Sequence, residues 1–353
     1  MTNSNRANIQ FDIKRLTALW GFSEATLGGI LHALRIPFTG LFIGSAAIIF
    51  ISLIAISSKE KSAILKSTAV VVLIKAIISP YTPIAAYAAV LLQGTLGYLF
   101  FTFIKSENIA AVLLGFFSLM FSALQKVILL TLVFGNTLWK SIDLFVKYIF
   151  QQFGLHPGNS VLSISYLMIL LYIAIHMVVG IFVGIQVKHL PAMIKKNYSA
   201  VDSDFIFALY TDNYFTAKSA GKKKKAWWFR PTGIIFLVLS LTLMLISYLS
   251  PSLNKDMFYD IVFMLIRSIM ITVAWLLFVS PFLIKYFKNV IEKKKYKYAG
   301  EINNATKLFP GFLRIINYSW KKSSSRLGID RVKFFLSNSL ALLLIVEIDE
   351  MVN

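Results

Sequence analysis

Long apolar runs, each about as long as a bilayer crossing, alternate with short polar turns along most of this chain. A helix needs roughly 20 apolar residues to span hydrocarbon. On that measure the runs 37–57, 62–79, 83–104, 108–135, 161–187, 231–250 and 257–284 each predict a transmembrane helix. The stretch 139–155 is different. Lys140, Asp143 and Lys147 interrupt it and Gln151-Gln152 follow, so it reads either as a partly shielded span or as a helix lying in the interface.

Charge distribution orients these runs. Segment 188–230 holds nine Lys/Arg against three Asp, and 285–333 holds thirteen against three acids, while 251–256 has one of each. Basic loops stay on the cytoplasmic side, so 231–250 and 257–284 form a hairpin with both ends cytoplasmic. Arg6, Lys14, Arg15 and Arg35 argue for a cytoplasmic N-terminus, which requires an even number of crossings before Lys188. Counting 139–155 as a span gives six there and eight in all, and it puts Lys59 and Lys105 outside. The expected fold class is therefore all-α: a polytopic helical membrane protein with a six-helix bundle at 1–187, a basic cytoplasmic loop at 188–230, a two-helix hairpin at 231–284 and a basic amphipathic tail at 285–353. Both termini are expected in the cytoplasm, with the plasma (inner) membrane as the location. No cleavable signal peptide is visible in the first 21 residues, where charged positions interrupt any apolar core.

Composition agrees with that class. Hydrophobic residues make up 57%, charged residues only 15%, and the mean hydropathy is +0.71. A net charge of +20 would fit a nucleic-acid binder, but the cations cluster beside apolar hairpins, which is the pattern of a membrane face and of affinity for anionic lipid. With no cysteine, thiolate metal sites and a cysteine nucleophile are excluded. Gly221 before Lys222–Lys225 is no phosphate loop, since the second glycine and the Ser/Thr that would meet magnesium are missing. No nucleophile–base pair or paired aspartate stands out, and acids are scarce in the expected spans. The chain is expected to be neither an enzyme nor a holder of a cofactor or metal.

Polar residues inside the spans mark the candidate site: Lys75, Gln93, Gln125, Lys126, His176 and Arg267. Lys75 lies about five residues before Pro80, roughly 7 Å along a helix, so its amine can snorkel to the near interface. Gln93 sits at mid-span and must bond either a neighbouring helix or a ligand. Gln125 and Lys126 are adjacent, so at most one faces a given partner, and His176 sits on an otherwise apolar helix. Arg267 has no acid at matching depth in its own hairpin. Glycines one turn apart, Gly40 and Gly44, then Gly180 and Gly184, let another backbone approach closely, from this chain or from a separate subunit.

The segment Leu31-His32-Ala33-Leu34-Arg35-Ile36-Pro37-Phe38-Thr39-Gly40-Leu41-Phe42-Ile43-Gly44, followed by Lys66 to Ser79-Pro80 and Ala85 to Gln93-Gly94, resembles the S components of energy-coupling factor vitamin transporters. The resemblance covers roughly residues 8–187. It implies six helices with both ends cytoplasmic, a vitamin-like small solute as substrate, and energy from separate ATPase and coupling membrane subunits. It also implies that Gly40 and Gly44 belong to the small-residue face of the first helix that docks the partner. S components hold ligand near the outer face, whereas the topology above puts Lys75 in the inner half of its span. They also end after six helices, and Ser325-Arg326-Leu327-Gly328 in the extra region is similar to a short Arg-Gly coupling motif of the coupling subunit. The alternative is a non-enzymatic membrane scaffold or lipid-associated protein with basic cytoplasmic loops.

Overall fold

A computed structural model describes residues 11–33, 38–79, 84–154, 163–199 and 255–346. Among them every regular element is helical, and five helices are long and apolar enough to cross a membrane. The expected span 231–250 and the Lys222–Lys225 cluster lie outside the described residues. Two compact units emerge, one made of Met1–Ser122, His176–Ala217 and Val290–Asn353, the other of Ala123–Ile175 and Lys218–Asn289.

The first unit begins with a helix for which the apolar runs gave no warning. Asp12 caps α1 (Ile13–Phe22) by accepting the Lys14 backbone N–H at 2.9 Å. The helix continues through a π-helical turn, Ser23–Leu27, into α2 (Gly28–Ala33). It runs parallel to α4 (Ser62–Ile78), because Thr17 meets Ser67, Glu24 meets Lys75, and the Ser79 hydroxyl donates to the Ala25 carbonyl. Between them in sequence, α3 (Thr39–Ser57) returns the other way.

Close glycine contacts fix the next three helices. On α5 (Ile84–Phe103), Gly94 packs on Thr68, and Gly97 on Ile51 and Ile64, making α5 parallel to α3 and antiparallel to α4. On α6 (Glu107–Phe134), Ser122 faces Gly40 and Leu119 faces Gly44, so α6 is antiparallel to α3. On α8 (Ile164–Val187), Gly180 lies on the Gly115 backbone and Gly184 on Ala111, so α8 is antiparallel to α6. Leu16, Trp20, Ile48, Ile51, Ile54, Ile74 and Leu114 fill the centre and are fully buried.

This register overturns the predicted sidedness of two loops. The α3–α4 turn, with Lys59, is at the same end as the α5–α6 turn, with Lys105, and as Lys188 after α8. The C-terminal helices close on that end as well. Ser58, Lys59 and Glu60 share a surface depression with Lys297 and Tyr298, and Lys66 pairs with Glu301 at 3.0 Å. Lys66 donates to the Glu301 carboxylate and holds it below its ordinary range, although both groups are solvated enough for the pair to add little stability. The error has a physical origin. Lys14, Arg15 and Glu24 disguise α1–α2 as a polar N-terminus, so a helix packed lengthwise on α4 went unread.

Basic amphipathic segments form the rest of the cap. After α9 (Leu190–Ser199), α10 (Lys255–Ala274) and α11 (Ser280–Lys297) come α12 (Ala299–Lys307), α13 (Phe309–Lys322) and α14 (Gly328–Ile345). Phe309, Phe312, Ile315 and Ser319 form the buried stripe of α13, spaced for one helix face. Phe22 of α1 meets Phe309 and Phe312 edge-on at 5.1 and 5.6 Å. Arg15 donates to the Leu343 carbonyl at 2.7 Å and the Leu342 carbonyl at 3.4 Å, meeting the orphan acceptors that end α14. Thus the tail read from sequence as basic and amphipathic is packed onto the N-terminal helix.

In the second unit α7 (Asn136–Gln152) follows α6 after a single residue, Gly135, at φ 73°. Trp139 folds back to donate to Thr131 of α6 at 3.0 Å, and Asp143 accepts from the Ser165 N–H and hydroxyl, capping the start of α8. Since α6 and α8 are antiparallel, the chain re-enters at the end it left, and α7 cannot be a single crossing between them. Arg267 of α10, whose partner the sequence left open, puts its guanidinium against Gly135, beside the negative end of the α6 dipole. A side chain at position 135 would stand 2.6 Å from Nη1.

The lack of native cysteine makes the sidedness directly measurable. Single cysteines at Lys59, Lys105 and Lys188 are expected to react with an impermeant maleimide from the same side of sealed vesicles. Labelling of position 59 from the side opposite to 188 would reject this register.

Candidate functional site

Polar groups inside the first unit fall at two levels. Nearer the end opposite the basic cap is an ion pair: Lys75 Nζ lies 2.6 Å from Glu24 Oε2, and the side chains are only 4% and 2% exposed. Lys75 therefore does not snorkel to an interface, as its distance from Pro80 implied. It turns inward to an acid of the π-helical turn. π-turns widen a helix locally and re-aim side chains, and here the turn presents Glu24 toward α4. The Tyr87 hydroxyl donates to the Ser79 carbonyl at 3.2 Å just beyond the pair.

Roughly 10 Å further along α4, at about 1.5 Å per residue, lies the second level. Gln93 is 5% exposed, and its Nε2 stands 3.4 Å from where a Cβ of residue 44 would be. The structure thus brings together two sequence-predicted positions, Gln93 and Gly44. The absent side chain at Gly44 leaves room for the amide. Gln93 Oε1 is buried with no hydrogen-bond partner among the described residues, and so is the hydroxyl of Ser118, the residue beside Leu119 that packs on Gly44. A buried acceptor without a partner costs on the order of 1–3 kcal/mol.

His176 is fully buried on α8, its ring tilted at 34° and 5.9 Å from the Phe38 ring. Phe38, which precedes α3, sits at φ 64°, a left-handed conformation that is costly for a bulky residue and is kept only where its surroundings enforce it. Gly40 and Gly44 face Ser122 and Leu119, and Gly180 and Gly184 face Gly115 and Ala111, so this chain itself occupies all four glycine positions. Gln125 and Lys126 belong to the second unit, where Gln125 is half-buried and Lys126 exposed. The described residues contain no cluster of three or more His, Asp or Glu able to hold a metal.

Sequence reasoning missed Glu24 and Ser118. The signal for Glu24 was present but unused: an acid and a lysine on two predicted helices, each too costly in hydrocarbon alone, are natural partners. Ser118 carries no such mark. Compared with family models, curated proteins and solved structures, the chain matches none.

Proposed function

We propose that this chain is the membrane subunit of a small-solute uptake transporter, binding a vitamin-like molecule in the helix-bundle interior and energised by a separate ATPase. The observation that carries the reading is the Gln93 amide, a buried acceptor at mid-bundle with its Oε1 unmet and with space made for it by Gly44. A solute donor would supply the missing bond. Sidedness supports it. The end bearing Lys59, Lys105, Lys188 and the basic C-terminal helices is cytoplasmic by the positive-inside rule. That assignment turns the Glu24–Lys75 level toward the outside, where a solute enters, and removes the depth conflict that the original topology created for Lys75. In this reading α1–α2, α3, α4, α5, α6 and α8 are the six crossings of the bundle, both termini are cytoplasmic, and the chain itself performs no chemistry.

The second reading, a non-enzymatic scaffold, draws on Lys75 being already satisfied by Glu24 and on Gln125 and Lys126 belonging to the other unit. The two separate cleanly. Extracts of the detergent-purified chain are expected to contain a small molecule that is at least tenfold depleted from the Gln93→Leu protein, although that substitution leaves thermal stability equal or higher because it removes an unmet acceptor. Mild crosslinking in native membranes is expected to join the chain to an ATPase subunit. A chain carrying no solute and joined to no ATPase is the scaffold.

A further inference from the structure

The C-terminal helices bury two apolar faces, Phe309, Phe312 and Ile315 along α13 and Ala341, Leu342 and Leu344 in the last turns of α14. The corner between them is open. Leu327 is 87% exposed there, and Ile329, Val332 and Leu336 of α14 are 75%, 49% and 58% exposed. At about 100° per residue the last three fall within roughly 60° of one another, so the first turns of α14 carry an apolar stripe that the described residues leave uncovered. Beside it runs a groove of about 1240 Å³, lined by Leu336 and Leu340 on one side and by Phe182 of α8 and Ile49 of α3 on the other. Those two helices give its depth. Phe182 lies about five residues, or roughly 8 Å, before the basic end of α8, and Ile49 about eight residues, or roughly 12 Å, before that of α3.

We infer that the α13–α14 corner is a membrane anchor, with Leu327, Ile329, Val332 and Leu336 dipping among lipid acyl chains at the rim of the bundle. Three observations select the bilayer as the occupant. The first is depth, since the groove beside the stripe descends below the ends of two helices long and apolar enough to span the membrane. A water-soluble partner does not reach there. The second is continuity, because Phe182 in the groove belongs to an outward strip of α8 in which Val178 and Ile185 are exposed as well. The stripe of α14 extends that lipid-facing surface. The third is the rim, where the Arg331 guanidinium carbon lies 4.4 Å from the Trp320 ring centre and that of Arg326 3.8 Å from Phe334. Aromatic and long cationic side chains of this kind settle where headgroups meet hydrocarbon. Apolar area selects the partner here, so the anchor needs no particular headgroup. It ties the C-terminal cap to the membrane whether or not the bundle holds a solute.

The chain has no native cysteine, so a fluorescent label can be placed at will. The variants Ile329→Cys, Val332→Cys and Leu336→Cys, with Asn304→Cys on the exposed side of α12 as the aqueous reference, are labelled and put into phosphatidylcholine nanodiscs holding one full chain each. Doxyl-labelled phosphatidylcholine is expected to quench the three stripe positions at least threefold more than position 304, and iodide to quench them at least threefold less. Iodide quenching equal to that at 304 would leave the stripe in water and overturn the anchor. Shielding from both quenchers would overturn it too, by assigning the stripe to protein. A second measurement needs no substitution. The unaltered chain, irradiated in nanodiscs containing a diazirine-bearing phosphatidylcholine, is expected to carry lipid adducts on the peptide 326–337 as well as on α8. Adducts on α8 with none on 326–337 would reject the proposal even if a labelled variant failed to fold.

Discussion

Replacing Glu24 with alanine is expected to lower the stability of the chain by about 3–5 kcal/mol, the range found when one partner of a buried ion pair is removed. The pair is almost wholly enclosed. The loss comes less from the missing attraction than from the lysine left behind. Lys75 is anchored on α4 among Val71, Leu73 and Ile74, all buried, so removing the carboxylate leaves a charge in an apolar setting. Unfolding in detergent, followed by size exclusion after heating, should show Glu24→Ala and Lys75→Ala both well below the parent. The double variant Glu24→Leu, Lys75→Met should recover most of the loss, since an apolar pair of similar volume often matches or exceeds a buried ion pair in stability. If the single variants unfold with the parent, the two side chains do not form this pair. The double variant also addresses function. Recovered stability with solute still bound would mean that the pair only joins α1 to α4, whereas recovered stability with solute lost would put the pair among the groups that hold it.

That experiment also bears on how far the sequence could be read. Uniformly apolar runs fixed α3, α5, α6 and α8, because lipid demands such runs whatever the tertiary contacts are. Helix α4 was found as well, although with only 17 residues it is shorter than an ordinary span and lies against α1, α3 and α5. Helix α1–α2 was missed for the converse reason. Composition treats Lys14, Arg15 and Glu24 as charges facing water. In the fold, Arg15 meets the carbonyls that end α14 and Glu24 meets Lys75, so two of the three are spent on tertiary contacts. Helix α7 posed the opposite problem, for its polar–apolar pattern fits a shielded span or a surface helix equally well, and only the antiparallel pairing of α6 with α8 decides. At the candidate site, one-residue logic located Gln93, because a central amide must find a partner. It could not locate the Glu24–Lys75 pair, because an ion pair is a property of two helices whose register no single run reveals.

Gly180 is where a single methyl group is expected to do most damage. On α8, Gly180 and Gly184 lie directly on the backbone of α6 at Gly115 and Ala111. A Cβ at position 184 would stand 2.6 Å from both the Ala111 carbonyl oxygen and the Val112 Cα, and one at 180 would press on the Gly115 carbonyl still harder. Backbone atoms within a helix cannot rotate away as a side-chain end can, so the two helices must separate along their shared length. Overpacking of this kind costs about 1–3 kcal/mol and occasionally more, and in hydrocarbon the close backbone contact is itself a main source of helix association. Gly44→Ala should be milder, since it meets the terminal methyl of Leu119 and the Gln93 amide, both of which can shift. Gly300→Ala, on a helix with nothing within 4 Å, should be neutral or stabilising by up to about 1 kcal/mol. The expected order of heat resistance in detergent is therefore Gly300→Ala highest, then Gly44→Ala, then Gly180→Ala and Gly184→Ala. A Gly180→Ala protein as heat-resistant as Gly300→Ala would mean that the α6–α8 contact is not formed. Without that contact α7 would again be free to serve as a crossing.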